Sequence, residues 1–156
     1  MTGRFTVVGI GPGDPELMTL RAARIIGASD VVAYHAGVKK KSHARRIGAG
    51  RDVVLLSEGD PLFYGSSMYR HDRFKEIYPT EVVPGVPAFA AATAAISGSS
   101  GPLVRQTDVL TVLPGTLPEP ELARRLADTE AAVIMKLGRT FLPDRRPWRH
   151  GQPADR

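Results

Sequence analysis

A chain of 156 residues that is 42% hydrophobic and 24% charged has a globular composition and enough length for about one domain. It contains no cysteine, which removes disulfides, thiolate metal sites and a cysteine nucleophile, and its histidines His35, His43, His71 and His150 lack ligand spacing such as H-E-x-x-H, so no metal is expected. With no basic-then-apolar leader and no apolar run long enough to span a bilayer, the chain is expected to be cytoplasmic and free of membrane.

In chain order, apolar bursts of four or five residues alternate with helical patterns, the signature of a mostly parallel α/β sheet. The first strand is expected at Phe5 to Ile10. It runs into the turn Gly9-Ile10-Gly11-Pro12-Gly13-Asp14-Pro15, whose glycines let a ligand approach the backbone, with Asp14 suited to cap the next helix and Pro15 to begin it. This differs from the dinucleotide fingerprint G-x-G-x-x-G: the third glycine comes early, and Asp14 stands where the last glycine belongs. An acid there repels pyrophosphate, so a ligand without phosphate, or with positive charge, fits better than a dinucleotide.

Met18, Ala22, Ile25 and Ile26 fall on one face of the first helix, and a second strand follows at Val31 to Tyr34. The net charge of +5 is uneven, because residues 38 to 51 hold Lys39, Lys40, Lys41, Arg45, Arg46 and Arg51 without an acid. This segment forms a short helix at best. Its charge suits an anionic small molecule or simply a solvated face; nucleic acid is disfavoured, since stacking aromatics are missing.

A third strand at Val53 to Leu56 leads into Ser57-Glu58-Gly59-Asp60-Pro61 and a helix from about Ser66 to Lys75. A fourth, Glu81 to Val83, ends in Pro84-Gly85-Val86-Pro87, and Ala88 to Ile96 reads as an alanine-rich helix packed closely on the sheet. In an open α/β sheet the ligand crevice lies outside the carboxyl ends of the strands, so the turns after strands one, three and four converge on a candidate site. Ser97 to Pro102 reads as a flexible break. A smaller unit follows, with strands at Val109 to Leu113 and Ala132 to Met135 around a helix from Glu119 to Ala127. Residues 1–100 thus form an N-terminal α/β domain, 101–141 a partial second α/β domain, and 142–156, which include Trp148, a disordered basic tail.

Taken together, Gly9-Ile-Gly-Pro-Gly-Asp14, Glu58-Gly-Asp-Pro-Leu-Phe-Tyr-Gly65 and Val83-Pro-Gly-Val-Pro87 resemble the tetrapyrrole methylase family. Val109-Leu-Thr-Val-Leu-Pro-Gly-Thr-Leu-Pro118 and Val133-Ile-Met-Lys-Leu-Gly138 strengthen the match and resemble most the branch that methylates C20 of precorrin-2 in cobalamin synthesis. The resemblance implies two α/β domains, a homodimer, and S-adenosylmethionine bound between the domains. It implies donor contacts at Gly11, Pro12, Glu58, Gly59, Asp60, Phe63, Pro87, Ala88 and Met135, and an anionic tetrapyrrole that Lys40, Arg45 and Arg46 help recruit. Asp60 could equally cap a helix, Phe63 and Tyr64 could be core aromatics, and Met135 could simply pack in its strand. No catalytic residue is singled out, because methyl transfer needs alignment more than acid–base chemistry.

This chain departs from the pattern in three places. It has far fewer residues between Tyr34 and Val53, Pro87 where a small hydroxyl residue is common, and a second domain that stops after two strands. An active methyltransferase, a shortened non-catalytic relative, and another methylase of the same fold, including one acting on RNA ribose, therefore all stay open. A nucleotide-binding oxidoreductase is disfavoured by Asp14.

Overall fold

The computed structural model describes residues 2–34 and 40–138, without the side chains of Lys40 and Lys41. Lys39, His35 and the tail expected from Leu142 lie outside the described residues. The chain divides into two compact units, Met1–Pro102 and Leu103–Arg156.

The first unit is built on a four-stranded sheet in the order β2-β3-β1-β4. Its strands are β1 (Phe5–Gly9), β2 (Val31–Ala33), β3 (Val53–Ser57) and β4 (Thr80–Val83), all paired in parallel, with Phe5 level with Val53 on one side and Thr80 on the other. Central β1 is buried along its whole length, which accounts for its apolar run: helices cover both faces of a parallel sheet. On one face Phe5, Val7, Ala33, Val53 and Leu55 pack with Ile47 of α2 (Lys40–Gly48) and Phe74 of α3 (Met68–Phe74). The rings of Phe5 and Phe74 meet edge to face at 4.8 Å. On the other face Val8, Val54 and Val83 pack with Ala22 of α1 (Leu20–Ala28), backed by Met18, Ile25 and Ile26.

Acids tie the amino ends of the strands together. Asp52 accepts the Arg4 N–H, Asp30 accepts the Asp52 N–H, and Glu81 on β4 receives both Arg4 and Arg21.

Three expectations need correction. Asp14 and Pro15 do not open the first helix. They form a separate 3-10 turn, Pro15–Leu17, in which Asp14 accepts the Glu16 N–H at 2.9 Å; α1 starts later because the Thr19 hydroxyl caps it by accepting from Ala22 N at 3.1 Å. The flexible break at Ser97 is absent. Helix α4 (Ala88–Ser100) runs through it, with the hydroxyls of Ser97, Ser99 and Ser100 bonded back to carbonyls of Ala94 and Ile96, and it ends where Gly101 turns to φ 72°. Nor is α4 packed closely on the sheet. None of its residues is buried.

The second unit pairs β5 (Leu110–Pro114) in parallel with β6 (Ala131–Met135) through α5 (Glu119–Leu126). Glu121 on α5 bonds both Arg124 and Arg125, which hold its carboxyl down at about 2. Among the described residues of this unit only Leu113 and Gly115 are buried.

His43 on α2 is wholly buried, and neither ring nitrogen has a hydrogen-bond partner among the described residues. Burial, then the charges of Arg70 and Arg46, lowers its pKa below the ordinary 6.5. The folded protein therefore keeps His43 neutral while the unfolded chain takes up a proton, so the stability linked to it is present above that pH and lost below it. Urea unfolding midpoints should fall as pH drops from about 7.5 to 5, and the fall should shrink in His43→Leu.

Candidate functional site

The three turns expected to converge do meet at the carboxyl end of the first sheet, and main chain holds them there. Beyond β1, Ile10 N–H donates to Ser57 O at 3.0 Å, and Gly11 and Gly59 exchange backbone bonds as an antiparallel bridge. A Cβ on Gly9 would stand 2.6 Å from Gly85 N and 2.7 Å from Gly59 O, and one on Gly85 would stand 2.2 Å from Gly59 O. Only glycine fits at Gly9 and Gly85. The need at Gly11 and Gly59 is conformational instead: their φ angles of 79° and 62° lie in the left-handed region.

Asp60 connects the second turn to the third. One carboxylate oxygen accepts Leu62 N–H at 2.9 Å, fixing the local turn, and the other accepts Gly85 N–H at 3.0 Å. The alternative of a helix cap does not hold, since α3 begins only at Met68. Pro61 is buried after it, and Gly65 folds back so closely that a Cβ would come within 2.3 Å of Pro61 O. The Ser67 hydroxyl donates to buried Ser57 at the end of β3, at 3.1 Å. This loop displays Phe63, whose ring lies 5.4 Å from both Tyr64 and Phe89. Tyr64 has φ 58°, a costly conformation for an aromatic residue. Pro87 precedes α4 without a side-chain cap, and Ala88 N lies 3.8 Å from the place a Gly59 Cβ would take.

Gly11, Pro12, Glu58, Gly59, Asp60, Phe63, Pro87 and Ala88 thus share one end of the first unit. Met135 closes β6 in the second, level with Pro114. Arg45 and Arg46 lie in the last turn of α2, whose Ile47 carbonyl accepts Gly3 N–H at 2.9 Å. That puts them by the amino ends of the strands, away from the turns, where cations favour a helix carboxyl terminus. Lys40 starts the same helix. Sequence reasoning named the turns that hold Gly9 and Gly85 without giving either glycine a contact role, and passed over the strain at Tyr64, which no residue type announces.

The turns carry Asp14, Glu16, Glu58 and Asp60 and no lysine or arginine from 9 to 17, 57 to 67 or 83 to 88. The carboxyl edge of a parallel sheet, here walled by main chain and charged only with acid, is where an open α/β protein receives its ligand. The chain belongs to the tetrapyrrole (corrin/porphyrin) methylases, whose family model matches residues 4–47 and 38–145.

It is 40% identical to a precorrin-2 C(20)-methyltransferase of Sinorhizobium sp over 192 residues, covering 92% of this chain and 77% of that protein. It is 41% identical over 191 residues to cobalamin biosynthesis protein CobIJ of Mycobacterium bovis (strain ATCC BAA-935 / AF2122/97), covering 90% of this chain but only 37% of that protein, so it spans little more than a third of that relative's length. A crystal structure of uroporphyrin-III C-methyl transferase from Thermus thermophilus complexed with S-adenosylhomocysteine superposes with a TM-score of 0.56 at 30% identity, over 74% of this chain and 57% of that one. An alignment of 191 positions against a chain of 156 residues leaves at least 35 positions of the CobIJ relative without a counterpart here. The family match breaks at 38–47, within the stretch between Tyr34 and Val53 where the chain is short.

Gly85→Ala should destabilise the protein by about 1–3 kcal/mol, because overpacking against main chain has no side chain to move aside. Gly98→Ala, in α4 with open space around it, should stabilise by about 0.5–1 kcal/mol. Chemical denaturation of the two variants side by side checks both signs.

Proposed function

We propose that this chain binds S-adenosylmethionine at the three turns and methylates a ring carbon of an anionic tetrapyrrole, C20 of precorrin-2, in cobalamin biosynthesis. The observation that carries the reading is the glycine-tight, acid-bearing, cation-free junction of the turns in a chain 40% identical to a precorrin-2 C(20)-methyltransferase. The donor is a sulfonium zwitterion without phosphate, which suits this charge set. It would supply an electrophilic methyl group.

The protein's own contribution is position and the exclusion of water. Gly11, Pro12 and Gly59 offer main chain at close range. Glu58 is exposed and free to face a cation. Asp60 has both oxygens committed to backbone amides, so its first task is to hold the second and third turns in register. Phe63, Pro87 and Ala88 give an apolar wall, and Met135 is kept as a donor contact on its motif. Arg45 and Arg46, placed away from the turns, act on an anionic substrate through their field at a distance. The homodimer and the cytoplasmic setting belong to the same reading. Among the described residues no helix is long and apolar enough to cross a membrane.

A second reading is favoured by the 35 or more positions this chain lacks against CobIJ: a relative that holds the donor and does not turn over. Calorimetric titration with S-adenosylhomocysteine followed by a methyl-transfer assay on precorrin-2 separates the two. Binding with transfer supports the enzyme, binding without transfer supports the second reading, and absence of binding overturns both.

Glu58→Gln should weaken binding of cationic S-adenosylmethionine by roughly threefold to tenfold, about 1 kcal/mol, the Coulomb attraction of two water-exposed unit charges at contact. It should leave neutral-sulfur S-adenosylhomocysteine unaffected. Asp60→Ala, which strands the part-buried Gly85 amide at about 1–3 kcal/mol and frees the exposed Leu62 amide to water, should weaken both ligands and lower the melting temperature.

A further inference from the structure

Resting on the proposed function, we propose that the ammonium of Lys136 recognises a carboxylate of the tetrapyrrole substrate. Among the described residues only Tyr64 and Lys136 are non-glycine residues with positive φ, and Lys136 has φ 59°. It follows β6 directly, at the carboxyl end of the parallel β5–β6 pair, the edge at which open parallel sheets receive ligands.

Its neighbours are tightly placed. Gly115, just beyond β5, donates its N–H to Met135 O, and a Cβ there would stand 3.0 Å from Leu137 Cδ2 and 3.2 Å from Met135 O. Gly138 turns again at φ 47°. Glycine or asparagine would adopt the angle at Lys136 with less strain, so a lysine kept there points to work for its side chain.

That side chain is exposed and forms no ion pair among the described residues. Three of the unit's described acids are engaged elsewhere, Glu121 by Arg124 and Arg125, Glu130 by Val109 N–H, and Asp108 by Arg105 N–H, and neither Glu119 nor Asp128 is ion-paired to Lys136. An exposed ammonium with three donors and no ion pair among the described residues is free to meet a carboxylate of a ligand.

The experiment compares Lys136→Asn, which tolerates the left-handed backbone and removes the charge, with Lys136→Arg and with Lys75→Asn, which removes the same charge from α3. Binding of uroporphyrin III, a polycarboxylate macrocycle, is followed by fluorescence anisotropy over a range of salt, and S-adenosylhomocysteine affinity and melting temperature are measured alongside. Lys136→Asn should lose about fivefold to tenfold in macrocycle affinity with a shallower salt dependence. Lys136→Arg should keep most of the affinity, Lys75→Asn should match wild type, and donor-product affinity should not move. Lys136→Gly should reproduce the loss, which separates it from any folding defect of the asparagine variant. Wild-type affinity in Lys136→Asn, or an equal loss in Lys75→Asn, overturns the inference. If wild type binds the macrocycle but not S-adenosylhomocysteine, the proposed function fails while a Lys136-dependent loss still supports this inference.

Discussion

Three main chains pass within contact of one another at Gly9, Gly59 and Gly85, and at Gly9 and Gly85 nothing larger than hydrogen fits between them. The site depends on that approach. It brings the ends of β1, β3 and β4 close enough for Gly11 and Gly59 to pair and for Asp60 to reach Gly85 N–H. A side chain at either point would separate the turns by the thickness of a methyl group and break both links, even if every strand beneath kept its register.

The sheet supports this junction from below. Parallel pairing gives all four strands one direction, so their carboxyl ends lie along one edge, and the buried run of β1 fixes the middle of that edge against helices on both faces. Charge is sorted along the same axis. Acids without cations occupy the turns, and the arginines of α2 lie by the amino ends. This polarity favours a cationic group at one edge and leaves an anionic partner to be met by other groups.

Much of this was legible because backbone requirements leave marks in sequence. A glycine that must admit another main chain cannot be disguised, and the order of Gly11, Gly59 and Gly85 after three apolar bursts marks the three turns that meet in the fold. Less visible was what depends on competition between local partners. Asp14 and Thr19 are both good caps, and only the fold shows that Thr19 starts α1 while Asp14 serves a separate turn. Ser97 to Ser100 reads as a break by composition, yet each hydroxyl found there bonds back to a carbonyl of its own helix, which runs on to Ser100. Asp60 was readable as an acid near a cation or as a cap, whereas its link to Gly85 spans 25 residues and no local pattern contains it. The strain at Tyr64 and Lys136 is likewise invisible, since neither residue type favours positive φ.

Asp60 uses both of its oxygens on the framework, and the rest of the junction is backbone against backbone. The mould and its lining are therefore separable. Residues such as Glu58, Phe63 and Ala88 can be exchanged without moving the main chain of the junction, while the glycines and Asp60 admit almost no exchange at all. A fold arranged this way can diversify its ligands quickly and its geometry hardly at all, so divergence among its members should appear in the lining residues long before it reaches the frame.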